Sequence, residues 1–170
     1  MDEATLIQYM TDNFEGLDTV EANGDRFFFY DPGGSLPPDR RMSFITLVTG
    51  DTYDSASNLS RPGVFRLNLG VGKDTYRALC GPQPPFPTDG GIIQIGHDFT
   101  AFDTLLPHPV YAAMSWVCIL NPRAATFETV RPPPRRSLQP RRRRARQTNP
   151  LPGNVAARHP CQTGSDNHAR

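Results

Sequence analysis

The chain has 170 residues, 37% of them hydrophobic, and a formal net charge of +1, which leaves room for one domain with a real core. The charge is split: residues 1–130 hold sixteen acids against eight bases, and residues 131–170 hold ten arginines against one acid. An acidic folded part repels phosphate backbones, no apolar run nears the ~20 residues of a membrane span, and Asp2 and Glu3 are the reverse of a basic signal start. A cytoplasmic protein that binds neither nucleic acid nor membrane is therefore expected.

Asp2 can cap a helix, and Leu6, Ile7, Met10 and Phe14 follow at helical spacing, so Asp2 to about Asn13 reads as an amphipathic helix ended by Gly16. Val20 and Ala22 suggest a short strand. Asn23-Gly24-Asp25 signals a hairpin turn, and Arg26 to Tyr30 is its return strand. Asp31 to Asp39, rich in proline and glycine, is a loop. Phe44 to Thr49 is β-branched and apolar and reads as a third strand, followed by a polar, turn-rich stretch from Gly50 to Ser60. From Val64 to Val71 polar residues fall at 66 and 68. This alternation puts Val64, Arg66, Asn68 and Gly70 on one face and Phe65, Leu67 and Leu69 on the other, in the core.

Lys73 to Cys80 reads as a short helix and Gly81 to Gly91 as a loop. Ile92, Ile93 and Ile95 give either a short strand or core lining, and Phe99, Phe102, Leu105 and Leu106 predict a second short helix before Pro107. Trp116 to Leu120 is an uncharged run between the breakers His108-Pro109 and Asn121-Pro122, which fits a buried strand. Trp116 itself is expected to be largely buried. Arg123 to Val130 starts a closing helix anchored by Phe127 and Val130. The fold expected is α+β: a single domain over residues 1–131, its antiparallel sheet packed by N-terminal and C-terminal helices, with a disordered Arg/Pro-rich tail over 132–170.

That tail has no aromatic residue and no periodicity, and Pro132-Pro133-Pro134 cuts the closing helix. One inserted C in a run of C bases converts a frame encoding Arg-Pro-Leu-Leu-Ala-Glu-Ala-Tyr-Asn-Leu-Ala-Val into the run Arg131 to Arg143 as it stands. A frameshift near the codon for Pro132 is the expectation, with no function for the Arg141–Arg144 run.

The candidate chemistry is sparse. His108 is read either as a pocket histidine beside the wall of Trp116 or as a ring that hydrogen-bonds backbone to fix its turn. The second reading weighs more, because no Ser, Cys or carboxylate stands at a spacing that completes a triad. Arg66 and Asn68 either line a pocket, where Arg66 could grip a carboxylate or phosphate with both arms, or face solvent. Asp51 and Asp54, among Thr52, Ser55 and Ser57, read as a solvated turn rather than a metal loop. His97-Asp98 is a metal pair without a partner, and buried Cys118 is read as an inert thiol. No catalytic residue, metal or cofactor is assigned. His108, Tyr111, Trp116, Arg66 and Asn68 are the binding candidates, for an unknown small molecule or protein partner. The alternatives are a hydrolase using His108 and a nucleic-acid module drawing on Arg40, Arg41, Arg61, Arg66 and Arg77.

The strings Phe28-Phe29-Tyr30-Asp31-Pro32, Leu47-Val48-Thr49, Leu59 to Val71, His108-Pro109-Val110-Tyr111, Ser115-Trp116-Val117-Cys118 and Asn121-Pro122 resemble domain-of-unknown-function family 6194 over roughly residues 1–131. That family implies no activity. More distantly, the order of helix, sheet, strand-Lys-helix and late strand with closing helix is similar to MmcQ/YjbR-like proteins. This likeness implies a secretion-chaperone-like fold and, by analogy, a DNA-binding role.

Overall fold

A computed structural model describes residues 1–31, 36–37, 40–87 and 91–133 of the chain, all within one unit, Met1–Gln139. Parts of the two expected proline-glycine loops, and the tail from residue 134 onward, lie outside the described residues. Helix α1 (Glu3–Asn13) starts where Asp2 Oδ1 accepts from the backbone N–H of Thr5 at 2.8 Å, which satisfies one of the free donors of the first turn. Strands β1 (Leu17–Ala22) and β2 (Asp25–Tyr30) pair antiparallel through Asn23 (φ 56°) and Gly24 (φ 83°). Two consecutive positive φ values are what a two-residue hairpin with the right twist needs.

Strands β3 (Ser43–Val48), β4 (Arg66–Gly70), β5 (Leu106–Pro107) and β6 (Trp116–Leu120) complete an antiparallel sheet in the order β1-β2-β3-β4-β6-β5. Helix α2 (Lys73–Cys80) follows β4, and helix α3 (Ala124–Val130) follows β6. Leu6, Met10 and Phe14 of α1 and its end, Tyr76 of α2, and Phe127 and Val130 of α3 share one buried cluster with Ile45, Leu47, Leu67, Leu69, Val117 and Ile119 of the sheet. The helices thus supply the core on one face. Tyr9 of α1 meets Phe127 of α3 edge to face at 5.1 Å.

The register expected for β4 holds: Phe65, Leu67 and Leu69 are buried in the core cluster, with Arg66 and Asn68 on the opposite face. A bulge opposite Phe28 and Phe29 leaves Phe44 as the extra residue of β3, and its ring turns back to Phe14 at 5.4 Å. Ser43, beyond the bulge, is released to the other face.

One expectation needs correction. The helix predicted from Phe99, Phe102, Leu105 and Leu106 does not form. The segment runs as turns into β5, where Leu106 pairs with Cys118, and Phe102 is exposed. Leu106 precedes a proline, which disfavours helical backbone at that position. Ile92, Ile93 and Ile95 make no strand; Ile93 is buried in the core and Ile95 is exposed. Asp103 has a second role: its Oδ1 accepts from the backbone N–H of Arg123 at 2.7 Å and so caps the entry to α3.

Candidate functional site

The face of the sheet away from the helices is covered by the loop from Asp51 to Val64 and the turn from His108 to Ser115, and between them lies a cavity of about 380 Å³. Pleating sends alternate residues of three strands into it: Phe27 and Phe29 from β2, Thr46 and Val48 from β3, Arg66 and Asn68 from β4. Trp116 enters from the first position of β6. Met42, Tyr53, Tyr111 and Met114 are exposed hydrophobic side chains that also line it, and they form its rim. All five binding candidates read from the sequence, Arg66, Asn68, His108, Tyr111 and Trp116, border this one space.

Arg66 is buried, at 1% exposure. Its Nη1 donates to Asp54 Oδ1 at 2.9 Å and to Ser57 Oγ at 2.9 Å, and its Nη2 donates to Asp54 Oδ2 at 2.6 Å. The two-armed grip on a carboxylate expected of Arg66 is therefore spent on the protein's own Asp54. The reading of a solvated turn is corrected in the same stroke for Asp54, whose side chain is 7% exposed. Burial alone would raise the Asp54 carboxyl, but the hydrogen bonds and charge of Arg66 hold it below its ordinary value. Asp51 takes a different part. Its Oδ1 accepts from Leu59 N at 2.8 Å and its Oδ2 bonds Ser60, and this ties the loop that carries Asp54 and Ser57.

Asn68 is 2% exposed, and its Nδ2 donates to Thr46 Oγ1 at 2.9 Å. Its Oδ1 has no partner among the described residues. A buried amide oxygen left this way costs free energy unless something donates to it.

His108 fixes its turn and also borders the cavity. Nδ1 accepts from the backbone N–H groups of Val110 and Tyr111, both at 3.1 Å, so the ring does fix its turn. The ring also stands 5.0 Å from Tyr111 and, edge to face, 6.3 Å from Trp116. Burial, reinforced by the Arg66 charge and opposed by that of Asp54, pushes His108 down to about 3. The ring is neutral at physiological pH, and with Nδ1 accepting two bonds its proton lies on Nε2. Among the described residues His108 has no hydrogen bond to a hydroxyl, thiol or carboxylate. Ser115 Oγ is engaged by Gln83 at 2.6 Å, and Cys118 Sγ donates to Pro107 O, its thiol pushed up to about 12 by burial.

Trp116 is mostly buried but not sealed in the core, and its ring lines the cavity. Gly70, its partner across β4 and β6, makes room for the indole: a Cβ there would lie 3.2 Å from Trp116 Cε2. A single turn of 3-10 helix, Ala112–Met114, and Ser115 in left-handed backbone (φ 65°) join the histidine to the tryptophan. His108 N also donates to Trp116 O at 2.9 Å, so the two ends of the turn are held together.

The strings that first suggested a family lie on these elements: Leu47-Val48, Arg66 to Asn68, His108 to Tyr111 and Trp116. A family model, Family of unknown function (DUF6194), matches residues 1–149. The chain belongs to DUF6194. No curated protein and no solved structure matches it. The match carries past Arg131, where the sequence reading closed the domain.

What sequence reasoning missed in this DUF6194 chain is the Asp54–Arg66 pair and the parts of Thr46, Ser57 and the rim residues Met42, Tyr53 and Met114. An arginine between apolar residues on a strand was the available signal, since such a charge must find a partner nearby. The arginines offered for a nucleic-acid face are partly committed elsewhere. Arg66 is buried, Arg41 is paired with Asp18 and lies 5.0 Å from the Phe29 ring, and Arg61 donates to Ser57 O and Asn58 O. Asp98 accepts from Thr100 N at 2.9 Å and serves its own turn. Among the described residues no group of three or more His, Cys, Asp or Glu is placed to hold a metal, and no helix is long and apolar enough to cross a membrane.

Proposed function

We propose that this chain is a small-molecule-binding domain rather than an enzyme, with its ligand seated between Trp116, Tyr111 and His108 and the buried floor of Arg66 and Asn68. The observation that carries the reading is the cavity itself: about 380 Å³, aromatic at its sides, with a few inward polar groups from three neighbouring strands. Sites of this kind bind by apolar contact and orient by a small number of hydrogen bonds. The engagement of His108 Nδ1 with backbone, and of Ser115 and Cys118 with other groups, supports binding over nucleophilic catalysis. Free Cys80 and Cys118 suit a reduced, cytoplasmic setting. The likeness to MmcQ/YjbR-like proteins rests on element order, namely an N-terminal helix, a sheet, a strand leading through Lys73 into α2, and the Trp116 strand with its closing helix.

The test is ligand-detected NMR with a mixed set of small aromatic fragments. Saturation transfer to several of them is expected from the native chain. It should be lost in Thr46→Phe, which projects a ring into the cavity, in samples that keep a cooperative melt. Equal transfer in both proteins, or none in the native one, refutes the reading.

A further inference from the structure

We infer that the ligand of this cavity is a flat, uncharged ring carrying an amide or lactam edge, which pairs with the amide of Asn68. The inference rests on the binding reading above and adds the chemical class. Three observations lead to it.

The first is the charge of the floor. Arg66 and Asp54 meet through two bonds, at 2.9 and 2.6 Å, and cancel. His108, with Nδ1 occupied by two backbone donors, presents a neutral ring. Among the described residues that line the cavity the one further charge, Arg41, is paired with Asp18. An ionised ligand would lose its hydration here and meet no opposite charge that is not already paired. The floor selects neutrality.

The second is the pairing left over on Asn68. The residue is 2% exposed, sits on the central strand facing the cavity, and spends only one amide N–H, on Thr46. Its Oδ1 and its other N–H remain for an occupant. An acceptor and a donor side by side in one plane are complementary to a second amide edge. A carboxylate would set an anion against Oδ1, and an amidinium would satisfy Oδ1 but bring an unmatched charge. Arg66 Nε is also buried without a partner among the described residues.

The third is shape. Phe27 and Phe29 from β2, Tyr53 from the loop and Trp116 from β6 are aromatic groups on several sides of one small volume. Phe27 and Tyr53 already meet edge to face at 6.0 Å. Aromatic surroundings favour a planar guest, through stacked or edge contacts beyond simple area burial.

The experiment uses three probes of one shape and different charge, namely benzamide, benzoate and benzamidine. Each is titrated into the full chain to millimolar concentration at neutral pH, with emission of Trp116, the chain's single tryptophan, as the readout. Benzamide is expected to change the emission saturably, with the two ions weaker by about tenfold or more, as for sites whose buried polar groups would be left mispaired. In Asn68→Leu, benzamide binding should fall by about tenfold. If benzoate or benzamidine binds as well as benzamide, the uncharged class is wrong while the cavity remains a binding site. If Asn68→Leu stays folded and binds benzamide unchanged, the role given to Asn68 is wrong. If none of the three moves the emission of the native chain, this inference falls, while the binding reading stands or falls by the fragment screen.

Discussion

Acidification from pH 7 to pH 5 should destabilise this protein through one residue, His108. Its ring is buried against Tyr111 and Trp116 and takes two backbone hydrogen bonds on Nδ1, and both need the neutral form. The folded value lies at about 3, against 6.5 for an unperturbed ring. The folded value is depressed, so below pH 6.5 the unfolded chain takes up a proton that the native chain refuses. Stability is then full above pH 6.5 and is lost progressively as the pH falls toward 3, at about 1.4 kcal/mol per unit. Between pH 7 and 5 the loss is about 2 kcal/mol. The figure depends on the unfolded ring alone, since at pH 5 the native ring is still neutral. Asp54, held below its ordinary 3.8, works in the same direction but only under still more acid conditions, so pH 5 isolates the histidine. The assay is urea unfolding followed by Trp116 emission at the two pH values, with His108→Gln as the control. A native chain equally stable at both values, or a variant that loses as much as the native chain, would falsify the argument.

Removing one partner of the buried ion pair, by Asp54→Asn or Arg66→Met, should cost about 3–5 kcal/mol in urea unfolding, with the double variant losing less than the sum because no lone charge remains. Gly70→Ala should cost about 1–3 kcal/mol and shift the Trp116 emission, because the new methyl group presses on the indole; an unchanged spectrum would count against that packing. Trp116→Ala, followed by circular dichroism, should cost less than the ~3–5 kcal/mol of a fully buried aromatic, since part of the ring faces the cavity. Resequencing the gene near the codon for Pro132 should reveal a single-base change that opens a Leu/Ala-rich frame; its absence would end the frameshift proposal.

Much of the sheet was legible because period-two alternation is a local property. Arg66 and Asn68 between Phe65, Leu67 and Leu69 dictate one register, and Asn23-Gly24 dictates one kind of turn. The five binding candidates were legible as residue types, Arg66 and Asn68 on one face of a strand and His108, Tyr111 and Trp116 about one turn. A pocket near Trp116 and His108 was expected, but the place of Asn68 in its floor depends on how the sheet pairs β4 with β6. Asp54 was misread for a related reason. It lies twelve positions before Arg66 in a loop that also offers Asp51, and nothing local says which acid turns inward. Phe99 to Leu106 deceived by spacing alone: intervals of three occur in turns too, and Leu106-Pro107 is the stronger signal. Trp116 was expected to be largely buried and to wall a pocket, and the space opposite Gly70 is what lets its indole lie there.

The two faces of β4 carry different duties, and this has a consequence for how the chain can change. Leu67 and Leu69 pack into the cluster shared with the helices, while Arg66 and Asn68 face the cavity, where Arg66 also anchors the covering loop through Asp54 and Ser57. Substitution at Asn68 can therefore reshape the cavity without renegotiating the helix-side core, whereas substitution at Arg66 also releases the loop. The same pleat makes the strand intolerant of shifts in length. Deleting the one residue between Arg66 and Asn68 would turn leucine toward the cavity and polar side chains toward the helices, and both faces would fail in a single step.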